Sequence, residues 1–279
     1  MIRGLTPAGI GRIDHIETFV TLAAKYGFGA VDYDGNSLKK WLEEKGRDHA
    51  VSFLNEHGVR IGSIGLSVEW RQSDAAFQAT LASFAAEIEA AAELGCGACC
   101  TYILPSVDEN PAQLLAQATK RLRTCAMLLD SYGMRLGLEF VGPHHLRRRW
   151  KHPFIDDMPS TLDWIEAIGV SNVGLLLDSF HWYTTESSVD ELLALDKSVI
   201  VHVHINDAPD VPVAEVLDND RLYPGEGVID LKAFLTALKQ IGYDGVIAQE
   251  VLRPTPPEEP AEQLIRYSAH AFDQVWPDT

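Results

Sequence analysis

Residues Asn172–Phe180 read NVGLLLDSF: a near-continuous apolar run, as expected of a strand buried on both faces, that closes on a carboxylate. Three further runs in the second half of the chain have the same form: RLGLEF (135–140), VIVHVHIND (199–207) and GVIAQEV (245–251). Each carries, at or near its end, a side chain able to bind a divalent cation, namely Glu139, Asp178, His204 and Glu250. A strand buried on both faces has little reason to finish on such a group unless the ends converge on one site. In an α/β barrel they do converge, at the C-terminal face. Three carboxylates and an imidazole suit a hard or borderline ion, Mn²⁺, Mg²⁺, Co²⁺ or Zn²⁺, and leave positions for substrate oxygens. The competing reading is that each polar residue caps the helix that follows, which is natural for any one of the four and less so for all together.

Working outward, strand and helix periods alternate along the whole chain without a break in composition. A short strand near Arg3 to Leu5 is followed by the amphipathic stretch HIETFVTLAAKYG, which stops at Gly27, and by GAVDYD as second strand. SLKKWLEEKG and DHAVSFLNEHG read as helices up to Gly58, and VRIGSIGLS as the third strand. A long Ala-rich helix from about Asp74 to Leu94 precedes ACCTYIL, the fourth, and Pro111 opens a helix to Tyr132. The four runs above follow, separated by helices near Ser160–Ile168, Val189–Leu195 and Leu231–Ile241, and a helix from Pro260 to Val275 closes the chain. Eight strand–helix units predict an α/β fold, a (β/α)₈ TIM barrel forming one domain over residues 1–279.

Composition agrees. The 279 residues are 46% hydrophobic, enough for one large core, and the formal net charge of -17 argues against binding nucleic acid, whose phosphates demand Lys and Arg. The start, MIRGLTPAGIG, has no charged segment leading into an apolar one, and no apolar run approaches membrane-spanning length, so a cytoplasmic protein acting on small molecules is expected. Exposed barrel helices often pair, which makes a homodimer the assembly to test. Cys96 and Cys99 form a CxxC without a second half, and with Cys100 and Cys125 they read as small buried hydrophobes. Two connections, Gly142 to Pro159 and Ala208 to Ile229, are too long for turns and follow ligand-bearing strands, so they should lie over the site. RPTPPEEP after the last strand reads as a stiff spacer.

LEFVG, NVGLLLDSFHWY, HINDAPDVPVAEVLDNDRLYPGEGVIDLKAFLTALKQIGYDG and QEVLRP together resemble the sugar phosphate isomerase/epimerase family of xylose isomerase-like barrels, and within it the inosose (2-keto-myo-inositol) isomerases. The resemblance is dense from about Glu139 to Pro254. It implies one divalent ion, Mn²⁺ ahead of Mg²⁺, Co²⁺ and Zn²⁺, held by Glu139, Asp178, His204 and Glu250, with substrate contacts from His181 and Arg221. It also implies a place in carbohydrate metabolism, such as inositol catabolism. The chemistry is coherent: moving a carbonyl along a polyol requires a proton from the carbon beside the ketone, and a cation on the neighbouring oxygens stabilises the enediolate. Glu139 and Glu250, on opposite sides of the expected site, would be the proton-transfer pair, and ligation would help keep them ionised.

Other residues admit two readings. His181, in the DxxH with Asp178, either donates to a substrate oxygen or packs against Trp182. His202 shares a strand face with His204 but lies one layer lower, filling the core or supporting another ligand. Arg221 either meets a polar substrate group or pairs with Asp218 or Asp220. Gly225-Glu226-Gly227 is too short for a phosphate loop and reads as a turn, with Asp230 capping the next helix. The run Arg147, Arg148, Arg149, Lys151, His152 is either a solvated face or an attractor for an anionic substrate, and Trp150 and Phe154 either wall the pocket or pin the loop. The apurinic endonucleases of the same superfamily need a DRH triplet where this chain has Asp220, Arg221 and Leu222. Three functional classes remain: a metal-dependent isomerase or epimerase of a keto-polyol or ketose; a dehydratase of a cyclic keto-polyol or 3-dehydroshikimate-like compound, since the same enediolate can expel a hydroxyl; and a noncatalytic sugar-binding barrel.

Overall fold

A computed structural model describes residues 1–277. Eight parallel strands close a barrel: Ile2–Leu5, Ala30–Val31, a third in two segments (Arg60–Ile61 and Ile64–Gly65), Ala98–Ile103, Arg135–Phe140, Val173–Asp178, Ile200–Ile205 and Val246–Gln249. The hydrogen-bonded order runs from the first segment of the third strand through the second, first, eighth, seventh, sixth, fifth and fourth to its other segment. The expected (β/α)₈ architecture is therefore present, and the expected third strand is present but broken. Its break coincides with a contact from another strand. A β-carbon at Gly62 would collide with Asp32 Oδ1, so the wall at this point gives way to a carboxylate from the neighbouring strand.

The helices form where an apolar stripe and a cap coincide. Ser73, Asn110, Asp157 and Asp230 each accept a backbone N–H from the first turn of the helix they precede, and Pro111 stands at the start of Pro111–Asp130 without sacrificing a needed donor. In Leu231–Gln240 the buried residues Leu231, Phe234, Leu235 and Leu238 recur at helical spacing and seat the helix on the barrel. One extensive apolar core lies between helices and strands, with Phe19, Phe84, Phe140, Phe180 and Phe234 wholly buried in it. Inside the barrel a smaller cluster of Ala30, Val246 and Ala248 fills the floor. Ala30 and Ala248 lie two residues before Asp32 and Glu250, so the polar residues above them share the inward face. Among the described residues no helix is long and apolar enough to cross a membrane.

The long connections carry structure with no signature in the sequence. Ser106–Val107 pairs antiparallel with His152–Pro153, stitching the loop after the fifth strand to the one after the fourth. A short helix, Ser179–Thr184, starts directly after Asp178.

Candidate metal centre

Sequence-adjacent strands deliver the four expected residues to one point. Asp178 and His204 are register partners on the sixth and seventh strands. Glu139 is on the fifth, and Glu250 follows the eighth, two residues beyond Ala248, the register partner of His204. Glu139, Asp178, His204 and Glu250 each offer one ligand atom within 4.8 Å of the others. His204 Nδ1 stands 3.5 Å from Glu250 Oε2, 3.7 Å from Glu139 Oε1 and 4.0 Å from Asp178 Oδ2. Both His204 Nδ1 and Glu139 Oε1 are buried without a hydrogen-bond partner. Burial opposes a charge on His204, but Glu250, Asp32 and Glu139 outweigh it and raise the imidazole well above its usual range. The surroundings thus demand positive charge at this point, which a divalent cation would supply, and the donor set fits one.

The helix-capping reading is also satisfied, though only at Asp178: its Oδ1 accepts the Phe180 N–H at 2.6 Å while its Oδ2 faces the cluster. Burial pushes the Asp178 carboxyl up, yet Arg221, His181 and His204 hold it down to about 2. Burial likewise opposes ionisation of Glu250, and His204 and Arg221 overcome it to keep the carboxyl below its usual range. For Glu139 burial prevails, and its carboxyl is raised. The two glutamates, chemically identical, are driven apart by their neighbours.

A second layer orients the first. Asp32 Oδ2 accepts from His202 Nε2 at 2.8 Å and from His204 Nε2 at 3.3 Å. With Nε2–H committed to Asp32, Nδ1 is the atom of His204 that faces the carboxylates and that would bind an ion once its own proton is displaced. His202 therefore lies a layer below and supports Asp32, which in turn holds His204. Asp32 was not among the expected site residues, although GAVDYD reads as an apolar strand ending in a carboxylate, the same signature as the other four. Asn206 was also missed: its Nδ2 donates to both Asp178 oxygens at 3.1 Å, and its own backbone is held by Ser179 Oγ.

Arg221 joins the cluster rather than standing at its edge. Only 2% exposed, it donates to Asp178 Oδ2 (2.8 Å), Glu250 Oε2 (2.9 Å) and Asp218 Oδ1 (2.8 Å). The expected pairing with Asp218 is thus present, and Asp178 and Glu250 share the same guanidinium. His181 does not pack on Trp182, which turns instead toward Phe234. His181 Nδ1 faces the Gly142 N–H at 3.3 Å and its Nε2 faces Arg221 Nη2 at 3.4 Å; both neighbours are donors, and a neutral imidazole accepts from one of them. Gly142 is required there, since a β-carbon would collide with Thr184 Oγ1 and crowd the His181 carbonyl.

The cleft above the cluster has a volume of about 280 Å³ and is lined by Thr6, Asp32, Ser63, Tyr102, Glu139, His204 and Glu250, among others. The basic run contributes nothing to its lining. Arg147 is occupied in bracing the loop: it donates to the Gly142 and Thr184 carbonyls at 2.6 and 2.9 Å and pairs with Asp156 at 3.2 Å. Arg148, Arg149, Lys151 and His152 are exposed. Trp150 and Phe154 wall a separate pocket beside the cleft. The Gly225–Gly227 turn holds no phosphate loop, because its amide N–H groups are already used: Gly225, Gly227, Ile229 and Ala208 all donate to the Asp207 carboxylate at 2.9–3.0 Å. Cys96, Cys99 and Cys125 are free and buried, and burial pushes the Cys96 and Cys125 thiols up to about 12, where they stay protonated.

The family model described as the xylose isomerase-like TIM barrel matches residues 20–271. The chain belongs to that family. An inosose isomerase from Bacillus velezensis is 29% identical over 268 residues, 91% of this chain and 89% of its own length. A xylose isomerase domain protein from Alicyclobacillus acidocaldarius superposes with a TM-score of 0.90 at 33% identity, covering 99% of this chain and 98% of that one. The IOLI protein, whose structure holds a zinc atom, gives a TM-score of 0.81 at 23% identity over 99% and 98% of the two chains, a likeness of fold.

Proposed function

We propose that this protein is a divalent-metal-dependent isomerase or epimerase of a keto-polyol or ketose, with an inosose-like substrate. The observation that carries the reading is the convergence of Glu139, Asp178, His204 and Glu250, with Glu139 Oε1 and His204 Nδ1 buried and unpaired. These four residues would hold one ion, Mn²⁺ in preference to Mg²⁺, Co²⁺ or Zn²⁺. Such an ion supplies electrostatic stabilisation for negative charge that develops on substrate oxygens. The inosose isomerase relative, aligned over most of both chains, supports the substrate class.

The chain's own residues account for the rest. Glu250, kept ionised by His204 and Arg221, is suited to take the proton beside the ketone. Glu139, the other glutamate of the cluster, is placed to return a proton at the adjacent carbon. His181, held between the Gly142 N–H and the Arg221 guanidinium, stands beside the cluster to meet a substrate hydroxyl. Arg221 touches both Glu250 and His181, so a substrate oxygen lying between them meets the guanidinium as well. Asp32 and Asn206 hold His204 and Asp178 in place.

Proton NMR in D₂O with 2-keto-myo-inositol and a panel of ketoses, the protein loaded with Mn²⁺ and then exchanged into Mg²⁺, tests this. Deuterium entering beside the ketone as a new isomer forms is the expected result. Loss of a hydroxyl would instead establish the dehydratase, and no exchange with any member of the panel would overturn both. Glu250→Gln should abolish turnover; in a sugar sensor it would leave binding largely intact.

A further inference from the structure

Beside the cleft, on the same face of the barrel, lies a second pocket of about 180 Å³ walled by Trp70, Trp150, Phe154 and Leu114, with Arg71 set into it. The two spaces share a partition. Trp70 Nε1 donates to Thr101 Oγ1 at 3.2 Å, Arg71 Nη2 donates to the Tyr102 carbonyl, and Thr101 and Tyr102 themselves line the cleft. The outer wall is fixed in place: Trp150 N–H donates to Ser106 Oγ at 3.2 Å, and Phe154 packs edge-on against Trp164.

Arg71 is the unusual element. Its guanidinium sits 3.9 Å from the Trp70 ring centroid and 4.4 Å from that of Tyr102, held between two aromatic faces. Among the described residues no carboxylate lies within 4.0 Å of it, and its Nε is buried with no partner. Burial pulls it down to about 10. The two arginines that the fold buries most deeply are answered by acids, Arg121 by Asp74 and Arg221 by Asp178, Asp218 and Glu250, whereas Arg71, like the partly buried Arg135, donates only to backbone carbonyls. In a chain of formal net charge -17 acids are plentiful, and Glu69 attracts this cation only from beyond direct pairing distance.

We propose that this pocket binds a carboxylate at the end of the substrate remote from its ketone, with Arg71 as the counter-ion and Trp150 against the adjoining carbon chain. The proposal rests on the reading of the cleft as a keto-polyol site and narrows its substrate to a keto-uronate. A guanidinium clamped between rings presents only its edge, the geometry that meets a planar carboxylate side by side. Asp108 and Glu109 line the same pocket and oppose an anion the more strongly the higher its charge, so a singly charged carboxylate meeting Arg71 is favoured over a dianionic phosphate. The exposed Arg148 and Arg149, which the sequence offers as anion attractors, leave this role to Arg71.

Three ligands that differ only at C6 provide the test: D-fructose, D-fructuronate and D-fructose 6-phosphate, bound to the full chain in the presence of Mn²⁺ and followed by calorimetry. Fructuronate should bind at least tenfold more tightly than fructose and more tightly than the phosphate. Arg71→Gln should bring the fructuronate-to-fructose ratio close to one, and Arg71→Lys, which keeps the charge without the planar fork, should give an intermediate ratio. Trp150→Ala should weaken fructuronate as well, and serves if the Arg71 variants fail to fold. Equal binding of fructose and fructuronate, tightest binding of the phosphate, or a preference that survives Arg71→Gln overturns the proposal. Deuterium exchange is read separately: a carboxylate preference lost in Arg71→Gln without exchange in any ketose would leave the pocket standing and remove the isomerase reading.

Discussion

Gly62 shows how closely the site and the fold constrain each other at single residues. The position has to be empty of side chain because Asp32 passes over it to reach His202 and His204. Gly62→Ala should therefore displace Asp32, lowering stability by about 1–3 kcal/mol in urea unfolding and reducing bound metal in the purified protein. Asp32→Asn leaves the space intact but removes the charge behind two imidazoles, and metal affinity should fall by about 10–100-fold in a competition titration; an unchanged affinity would show that Asp32 serves packing alone. Asp178 sets a pH dependence. Because its carboxyl is held down to about 2, below the unfolded value near 4, it contributes stability that is complete above about pH 4 and lost as pH falls through about 2. Glu139, raised by burial, contributes in the opposite sense and loses its contribution as pH rises. Chelated wild-type protein should lose urea resistance between about pH 4 and 2 more steeply than Asp178→Asn.

The elements divide by how much of their cause is local. Strands and long helices were readable because burial on both faces leaves an unbroken apolar run, and one-sided burial leaves a helical stripe. The four strand-end residues were readable for the same reason, as polar side chains where the run predicts none. What escaped was tertiary in origin. The pairing of Ser106–Val107 with His152–Pro153 joins two-residue segments far apart in sequence, too short for any period to register. The break in the third strand coincides with a contact from Asp32, a residue of another strand. The basic run looked like one feature and separates into a brace, Arg147, and a solvated remainder. Arg147→Ala should accordingly speed amide exchange through residues 142–157 by mass spectrometry while leaving Ile16–Lys25, the helix after the first strand, unchanged; uniform acceleration would mean that the brace supports the whole barrel.

At the scale of the molecule, four acidic side chains, Asp32, Glu139, Asp178 and Glu250, gather around a single imidazole within a chain already strongly acidic, and Arg221 is the buried cation set among them. A bound divalent ion adds the missing charge to the folded state alone. At a hundred times its dissociation constant it should stabilise the protein by about 2.7 kcal/mol, seen as a rise of several degrees in the thermal midpoint that Glu250→Gln diminishes. The course of the third strand bears on the same site. Its first segment is laced to the second strand, through pairs such as Val31 with Ile61, and its second segment to the fourth, through Ile64 with Cys99; across Gly62 and Ser63 the ladder changes sides. The wall has a seam there, and the cleft is bordered on one side of it by Asp32 and Tyr33 and on the other by Ile64, Gly65, Cys100 and Thr101. Thermal breathing of a closed barrel is ordinarily resisted all the way round its circumference. Here the hydrogen-bonded ladder is interrupted beneath the mouth of the cleft, so parting the wall along this line breaks fewer inter-strand hydrogen bonds than parting it elsewhere.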